Sequence, residues 1–192
     1  MKRFLPFLIL IFLVNVIGFA TYNLNKQQDF EKKNKSPNSD DNFSVHFEKE
    51  KIVLPEFSFP NLFNEKEDFS KQNLIGKYSL INFFASWCST CKSEHEVLLR
   101  LQRENIVDIY GIAWRDIDEN TKNYLKKSGN PYKLIATDSR GLFSKITGIQ
   151  AVPETLIIDK KGNVVMRFRG NLQDFSINEI RDFLKNKNLE NF

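Results

Sequence analysis

The sequence predicts an α/β domain, with a central mixed β-sheet flanked by helices, that follows an N-terminal membrane anchor. Two observations lead to this prediction. From residue 52 to the C terminus, apolar runs typical of buried strands alternate with segments of helical periodicity, an order that produces a sheet covered by helices. In addition, a nearly uninterrupted apolar run occupies positions 4–20. A length of 192 residues suits one domain with an appendage.

The apolar run predicts a transmembrane anchor at residues 4–22, although an uncleaved signal-like segment has the same pattern. Residues 1–3 are basic and form the expected cytoplasmic tail. Gly18 and Ala20 are small residues close to the end of the run, so a cleavable signal peptide is the open alternative. Lysines also follow the run, and the orientation therefore rests on the very short N-terminal tail. We expect the rest of the chain to lie outside the cytoplasm.

Residues 23–51 are polar, contain few large apolar side chains and are typical of a flexible linker. The folded domain is therefore expected at residues 52–192.

Four segments alternate at the start of this domain. Residues 78–85 are apolar and aromatic, as in a buried strand, and residues 106–114 show a similar pattern. Residues 89–105 carry apolar side chains at helical spacing, which predicts an amphipathic helix between the two strands. Residues 119–128 are predicted to form a second helix, which ends at the glycine that follows them directly.

The remaining segments complete the alternation. A short strand is predicted at residues 132–136 and a short helix at residues 142–146, which a glycine follows two positions later. Residues 156–159 and 164–169 read as two strands joined by a turn that contains a glycine, which predicts a hairpin. Residues 175–185 form a closing amphipathic helix.

The composition excludes some classes of protein. The net charge is +4, from 28 basic and 24 acidic residues, and so small an excess argues against binding to nucleic acid. With only two cysteines, the chain is not a disulfide scaffold. Nothing in the sequence requires more than a monomer, which is the expected state.

The two cysteines form a Cys-x-x-Cys motif, Cys88-Ser89-Thr90-Cys91, between a predicted buried strand and a predicted helix. The free N–H groups at the start of a helix favour a negative charge, so Cys88 is expected to have a lowered pKa and to be the attacking thiolate. Cys91 lies one turn inside the helix, is expected to be less exposed, and can resolve a mixed disulfide. The motif therefore predicts thiol–disulfide exchange.

Three other interpretations of the motif remain open. A zinc site could use both cysteines and His95, but structural zinc needs about four ligands. A copper carrier could use two thiolates and a histidine. A purely structural disulfide would close only a very small loop and stabilise little.

The segment FFASWCSTC, residues 83–91, resembles the active-site segment of thioredoxin-fold proteins. More narrowly, the domain resembles the thiol:disulfide interchange proteins of cytochrome c maturation, the DsbE/CcmG family, from about Leu54 to Leu172. The resemblance implies a thioredoxin-like fold. Its narrower form rests on Glu94-His95, on Gly129-Asn130-Pro131-Tyr132, and on Ala151-Val152-Pro153-Glu154-Thr155 followed by Ile157-Ile158-Asp159 and a glycine turn.

The resemblance implies roles for single residues. Pro153 matches a cis-proline that faces the active-site disulfide, and Glu94 matches an acid that tunes the cysteine pair and relays protons. Trp87 is expected to pack beside the cysteines, and Glu154 to lie near a groove that binds substrate. Asn82 stands where general thioredoxins carry a buried aspartate, which leaves more of the proton transfer to Glu94. Without the resemblance, Pro153 is interpreted as an ordinary turn proline, a solvated helix glutamate is an equal alternative for Glu94, and a role without function is favoured for Glu154.

The sequence also departs from the family pattern. Ser89 replaces the usual proline of the motif, and Phe84 stands where a tryptophan is common. The residues between the cysteines influence the stability of the thiolate, so the resemblance does not imply a particular reduction potential.

For function, the resemblance implies a protein-disulfide reductase, anchored by a single span in a bacterial inner membrane with its catalytic domain in the periplasm. Its substrates would be apocytochrome c or the haem-ligation proteins that carry it. A membrane electron donor of the DsbD or CcdA type would reduce the pair again, and neither a cofactor nor a metal is needed. Two alternatives are a TlpA- or ResA-type reductant for oxidase assembly and a chaperone that binds copper or apocytochrome.

Overall fold

The computed structural model describes residues 46–189. Eight strands and four α-helices follow one another in this part of the chain, together with one 3-10 helix at Lys71–Leu74. The strands are β1 (His46–Val53), β2 (Ser58–Asn61), β3 (Asn64–Ser70), β4 (Ser79–Phe84), β5 (Asp108–Trp114), β6 (Ile135–Asp138), β7 (Glu154–Ile158) and β8 (Asn163–Arg169). The helices are α1 (Ser89–Glu104), α2 (Asp118–Ser128), α3 (Leu142–Ile146) and α4 (Asp174–Leu189).

Six strands form one mixed sheet in the order β1-β8-β7-β4-β5-β6. Strands β4, β5 and β6 are parallel, whereas β7 runs antiparallel to β4, and β8 and β1 continue that antiparallel half. Strands β2 and β3 form a separate two-stranded sheet. The predicted α/β fold with a mixed sheet flanked by helices is therefore confirmed.

Strand β4 lies at the centre of the sheet and is buried along its whole length. Its side chains alternate between the two faces, as in any strand. Leu80 and Phe84 belong to the core that α1, α2 and α4 complete, whereas Ile81 and Phe83 belong to the core beneath α3 and the β2–β3 hairpin. The side chain of Asn82 thus lies on the face of the sheet that α1 covers. The cysteine motif follows shortly after the end of β4.

The domain begins earlier than residue 52. Residues 46–51, expected in the linker, belong to β1, which pairs antiparallel with β8 from His46 opposite Arg169 to Val53 opposite Asn163. The segment is charged and alternates poorly, which is how edge strands commonly protect their free side, and its stability comes from a partner far along the chain. The hairpin of β2 and β3 was also not predicted, since β2 contains Pro60 and β3 is mostly polar.

The predicted anchor at residues 4–22 and most of the predicted linker lie outside the described residues. Within residues 46–189, no helix has the length and apolar composition that a membrane span requires.

Candidate active site

The cysteine pair lies at the point where the central strand gives way to α1. Cys88 is the N-cap of the helix, with φ −83° and ψ 116°, and its Sγ accepts a hydrogen bond of 3.1 Å from the backbone N–H of Cys91. The two residues are joined by a disulfide with a Cα–Cα distance of 5.3 Å. Cys88 therefore occupies the position where the unpaired N–H groups of a helix stabilise a negative charge.

Burial does not separate the two cysteines. Cys91 is 3% exposed and Cys88 is 5% exposed, so Cys91 is the less exposed of the two, as expected, but by a small margin. The difference in their roles therefore rests on position, because only Cys88 stands at the start of the helix.

Two oxygen atoms lie close to the sulfur of Cys88. The hydroxyl oxygen of Thr90 is 3.2 Å from Sγ and the carbonyl oxygen of Val152 is 3.6 Å from it. The peptide bond between Val152 and Pro153 is cis. The loop before β7 therefore faces the disulfide with a backbone carbonyl, beside a proline that has no N–H to donate.

A buried polar network lies beneath the pair, on the α1 side of β4. Glu94 is fully buried, and its carboxylate accepts hydrogen bonds from Asn82 Nδ2 at 2.9 Å and from the N–H of Leu172 at 2.8 Å. Asn82 Nδ2 also donates to Thr155 Oγ1 at 3.0 Å, and its Oδ1 accepts from the Tyr132 hydroxyl at 2.7 Å. The network joins α1 to strands β4 and β7 and to the two segments that carry Tyr132 and Leu172.

The environment of Glu94 changes its acidity. Burial raises the pKa of Glu94 to about 8, and the hydrogen bonds from Leu172 and Asn82 oppose this effect only in part. Burial, together with the charge of Glu94, holds the pKa of Tyr132 well above its usual range, so Tyr132 stays a hydrogen-bond donor. Glu94 is thus a carboxyl group that holds a proton at neutral pH one helical turn from Cys91, which suits proton transfer.

Trp87 is 56% exposed beside the cysteines, and its Nε1 donates to the backbone carbonyl of Arg115 at 3.2 Å. Its ring lies 6.1 Å from the ring of Trp114, and the Arg115 guanidinium covers Trp114 at 4.8 Å from the ring centre. The exposed indole of Trp87, next to Cys88, is therefore hydrogen-bonded to the loop that follows β5.

Asp116 fixes that loop and was not found by sequence reasoning. Its buried carboxylate accepts from the N–H of Ser86 at 2.6 Å, from the Ser86 hydroxyl at 3.0 Å, from the N–H of Ile117 at 2.8 Å and from the Thr121 hydroxyl at 3.0 Å. The only signal in the sequence is an acid that precedes a predicted helix, and this does not reveal its partner Ser86.

Glu154 is buried at the end of the cis-proline loop. Arg167 Nη1 donates to its Oε1 at 2.5 Å, and Arg167 Nη2 donates to the carbonyl of Thr147 at 2.9 Å. Burial raises the pKa of Glu154, while the hydrogen bond and charge of Arg167 act in the opposite direction. The carboxylate is thus directed into the protein, and sequence reasoning did not identify Arg167 because its partner lies on the neighbouring strand.

His95 contacts Gly129 and Tyr124. It is buried, its Nε2 lies 3.0 Å from the carbonyl oxygen of Gly129, and its ring lies 5.0 Å from the ring of Tyr124, tilted by 57°. Within the part of the chain that the structure describes, no three side chains of His, Cys, Asp or Glu gather as metal ligands would.

The chain resembles known proteins over most of this domain. The family model described as Redoxin matches residues 48–184. A thiol:disulfide interchange protein DsbE of Pasteurella multocida is 30% identical over 172 residues, which cover 90% of this chain and 89% of the relative. A DsbE of Allochromatium vinosum is 36% identical over 108 residues, which cover 56% of this chain but only 60% of the relative's length.

Solved structures agree. A thiol:disulfide interchange protein of the thioredoxin family from Chlorobium tepidum superposes with a TM-score of 0.60 at 27% identity, over 71% of this chain and 98% of its own. Together with the cysteine pair at the start of α1, these matches show that the chain belongs to the Redoxin family and, within it, to the DsbE-type thiol:disulfide interchange proteins.

Proposed function

We propose that the chain is a protein-disulfide reductase of cytochrome c assembly, which reduces disulfides in apocytochrome c or in the haem-ligation proteins that carry it. The observation that carries this proposal is the placement of Cys88 at the N-terminus of α1, above the buried and protonatable Glu94 and opposite the cis-proline loop. Family membership supports the exchange chemistry. The resemblance of the domain to the DsbE/CcmG proteins of cytochrome c maturation supports the choice of substrate.

The reaction proceeds by two exchanges. The Cys88 thiolate attacks one sulfur of the substrate disulfide, forms a mixed disulfide and releases the other substrate sulfur as a thiolate. Cys91 then attacks the Cys88 sulfur, which frees the second substrate sulfur and leaves the Cys88–Cys91 disulfide. Two electrons pass from the enzyme to the substrate, and the two enzyme thiols lose two protons, which the substrate thiolates take up.

Glu94 supports the second exchange. Cys91 must lose its proton before it can attack, and the ionised fraction of a carboxyl group with a pKa of about 8 can accept that proton and return to the protonated form that predominates at neutral pH. When Glu94 is ionised, above a pH of about 8, its charge also disfavours a thiolate, which destabilises the reduced form and makes the pair a better reductant.

We further propose the setting in which this reductase acts. Residues 4–22 anchor it in a bacterial inner membrane, and the catalytic domain faces the periplasm. An oxidising compartment would leave the pair as a disulfide, so a membrane electron donor of the DsbD or CcdA type reduces it again. The tether keeps the domain close to both partners.

Trapping the substrate tests the proposal. In the full-length Cys91→Ser variant, the mixed disulfide at Cys88 cannot be resolved, so apocytochrome c with an intramolecular disulfide should accumulate as a covalent complex on non-reducing gels. The Cys88→Ser variant is the matched control and should trap nothing. The chain is not the proposed reductase if Cys91→Ser forms no complex. The same holds if the wild type binds copper and both variants lose it without trapping a substrate.

The reduction potential tests the direction of the reaction. The full-length protein is equilibrated in thiol buffers, and Trp87 fluorescence reports the ratio of its oxidised to its reduced form. The reduction potential should lie between about −200 and −270 mV, the range of glutaredoxin and thioredoxin. A value near about −120 mV would identify an oxidant.

A further inference from the structure

The exposed side chains of Trp87 and Arg115 and the half-buried side chain of Trp114 form one surface next to Cys88. The indoles of Trp87 and Trp114 lie 6.1 Å apart, and the guanidinium of Arg115 covers Trp114. We call these three side chains the Trp–Arg surface. Arg115 is exposed, so the surface offers two aromatic rings and a cation to a molecule that approaches the disulfide.

The Trp–Arg surface is held rigidly. Arg115 has a φ of +48°, in the left-handed region that residues other than glycine adopt rarely, and its carbonyl accepts the hydrogen bond from Trp87. Asp116, through its four hydrogen bonds, ties the same loop to the segment just before Cys88. A backbone held in a costly conformation by surrounding bonds often marks a functional position.

The loop before α3 closes the other side of this surface. A Cβ atom added at Gly141 would lie 2.9 Å from Arg115 Nε and 3.0 Å from Trp114 Nε1, so the backbone touches both side chains. The aromatic ring and the neighbouring loop therefore restrict the Arg115 side chain, which lowers the entropy lost when it binds a ligand.

The cation of Arg115 has no carboxylate partner among residues 46–189. Asp116 is buried and directs its oxygens to its own hydrogen-bond donors. Glu119 accepts from Asn123 at 3.0 Å, and Asp118 lines a separate cleft with Lys122 and Pro60. A carboxylate from outside would therefore meet an unpaired guanidinium already placed over an aromatic ring.

We propose that the Trp–Arg surface determines substrate specificity, by binding an acidic side chain that lies two or three residues from the substrate's reacting cysteine. This inference rests on the proposed exchange of a protein disulfide at Cys88. An extended peptide advances about 3.3 Å per residue, so a peptide that passes Trp87, the residue before Cys88, reaches Trp114 and the guanidinium over its ring about two residues further on. The aromatic rings contact the peptide between the cysteine and the acidic residue.

Peptide reduction tests this specificity. Oxidised peptides with a Cys-Ala-Ala-Cys disulfide, flanked on both sides by two Glu, two Gln or two Lys residues, are reduced by the full-length reduced protein, and kcat/KM is measured by quenched-flow mass spectrometry. We expect the Glu peptide to exceed the Gln peptide about two- to fivefold, the range of an exposed ion pair, and the Lys peptide to be slowest. The preference should weaken at high salt.

The Arg115→Gln variant should lose this preference, so that the ratio of the Glu to the Gln peptide falls to about one. Lys185→Gln removes the same charge from an exposed position on α4 and should retain the preference. Equal ratios in the wild type and Arg115→Gln, or a wild type that prefers the Lys peptide, would overturn the inference.

Binding without chemistry separates this inference from the proposed function. The Cys88→Ser Cys91→Ser double variant cannot exchange disulfides but keeps the Trp–Arg surface, and its affinity for the same oxidised peptides is measured by calorimetry. A preference for the Glu peptide that Arg115→Gln removes supports the surface even if the wild type reduces no peptide, a result that would contradict the proposed function alone. Equal affinities for all three peptides would overturn the inference.

Discussion

Glu94 shows at the scale of single residues how burial changes chemistry. A glutamate on an exposed helix face is ionised at neutral pH, whereas Glu94 is fully buried and its pKa lies at about 8. Hydrogen bonds from Asn82 and Leu172 keep both carboxylate oxygens satisfied, which is the usual requirement for a buried polar group.

The Glu94→Gln substitution should make the reduction potential less negative, but only at high pH. Above a pH of about 8, the wild-type carboxylate is charged and disfavours the thiolates of the reduced form, so its removal should raise the potential by about 30 mV, equivalent to one pKa unit. At pH 6, Glu94 is already neutral and the two proteins should agree. Potentials measured in thiol buffers at pH 6 and pH 9 give the comparison.

Glu96→Gln is the matched control for that measurement. Glu96 lies on the same helix but is exposed and pairs with Arg103 at 2.9 Å. It should change the potential little at either pH, and an equal shift at pH 6 and pH 9 in Glu94→Gln would contradict the role assigned to the carboxylate.

Thr90 provides a second prediction at this scale. Its hydroxyl lies 3.2 Å from Cys88 Sγ and can donate to the thiolate after reduction. Thr90→Val should therefore slow alkylation of reduced Cys88 by iodoacetamide at pH 7 about three- to tenfold, the effect of one hydrogen bond. Thr90→Ser keeps the hydroxyl and should react at the wild-type rate, and a Val variant as reactive as wild type would show that the contact has no influence.

Between elements, the active site is assembled by connections that cross the sheet. Strand β4 supplies the cysteine loop and Asn82, and β7 supplies Thr155 and, just before it, the cis-proline. The pairing of β4 with β7 is antiparallel and places Asn82 opposite Thr155. The two segments that face each other across the disulfide are therefore held in register by the centre of the sheet.

The ion pair of Glu154 and Arg167 connects β7, β8 and the end of α3. Both side chains are buried, so removing Arg167 leaves Glu154 as a buried charge whose remaining basic neighbour is the half-buried Arg169, with its Nε at the longer distance of 3.7 Å from Glu154 Oε1. Arg167→Met should lower the free energy of unfolding in urea by about 3–5 kcal/mol. Glu154→Gln in the same background should recover much of this loss, since it removes the buried carboxylate charge that Arg167→Met leaves behind. A double variant no more stable than Arg167→Met would rule out this explanation.

At the scale of the whole domain, β1 closes the antiparallel edge of the six-stranded sheet. It shields the backbone groups of β8, which would otherwise form an exposed edge. Two of its side chains, Ile52 and Val53, are themselves largely exposed, so these two residues contribute mainly through the pairing of their backbone with β8.

A chain that lacks residues 1–51 should therefore be less stable than one that lacks residues 1–42. Loss of most of β1 removes several hydrogen bonds and exposes β8, and we expect the midpoint of thermal unfolding to fall by roughly 5–10 °C. Circular dichroism of the two proteins during heating measures the difference. Equal midpoints would mean that the folded unit begins at residue 52, as the sequence alone suggested.

The sequence by itself determined the order of the main strands and helices, the redox motif and the family. These features are local, since apolar runs such as β4 and the Cys-x-x-Cys motif are visible in short segments of chain. The tertiary structure alone decided that residues 46–51 form a strand, that Glu94 is buried, and that Asp116 holds the loop before Cys88 and Arg167 holds Glu154. Each of these depends on a partner distant in sequence, and the desolvation that raises the pKa of Glu94 arises only when several elements pack around it.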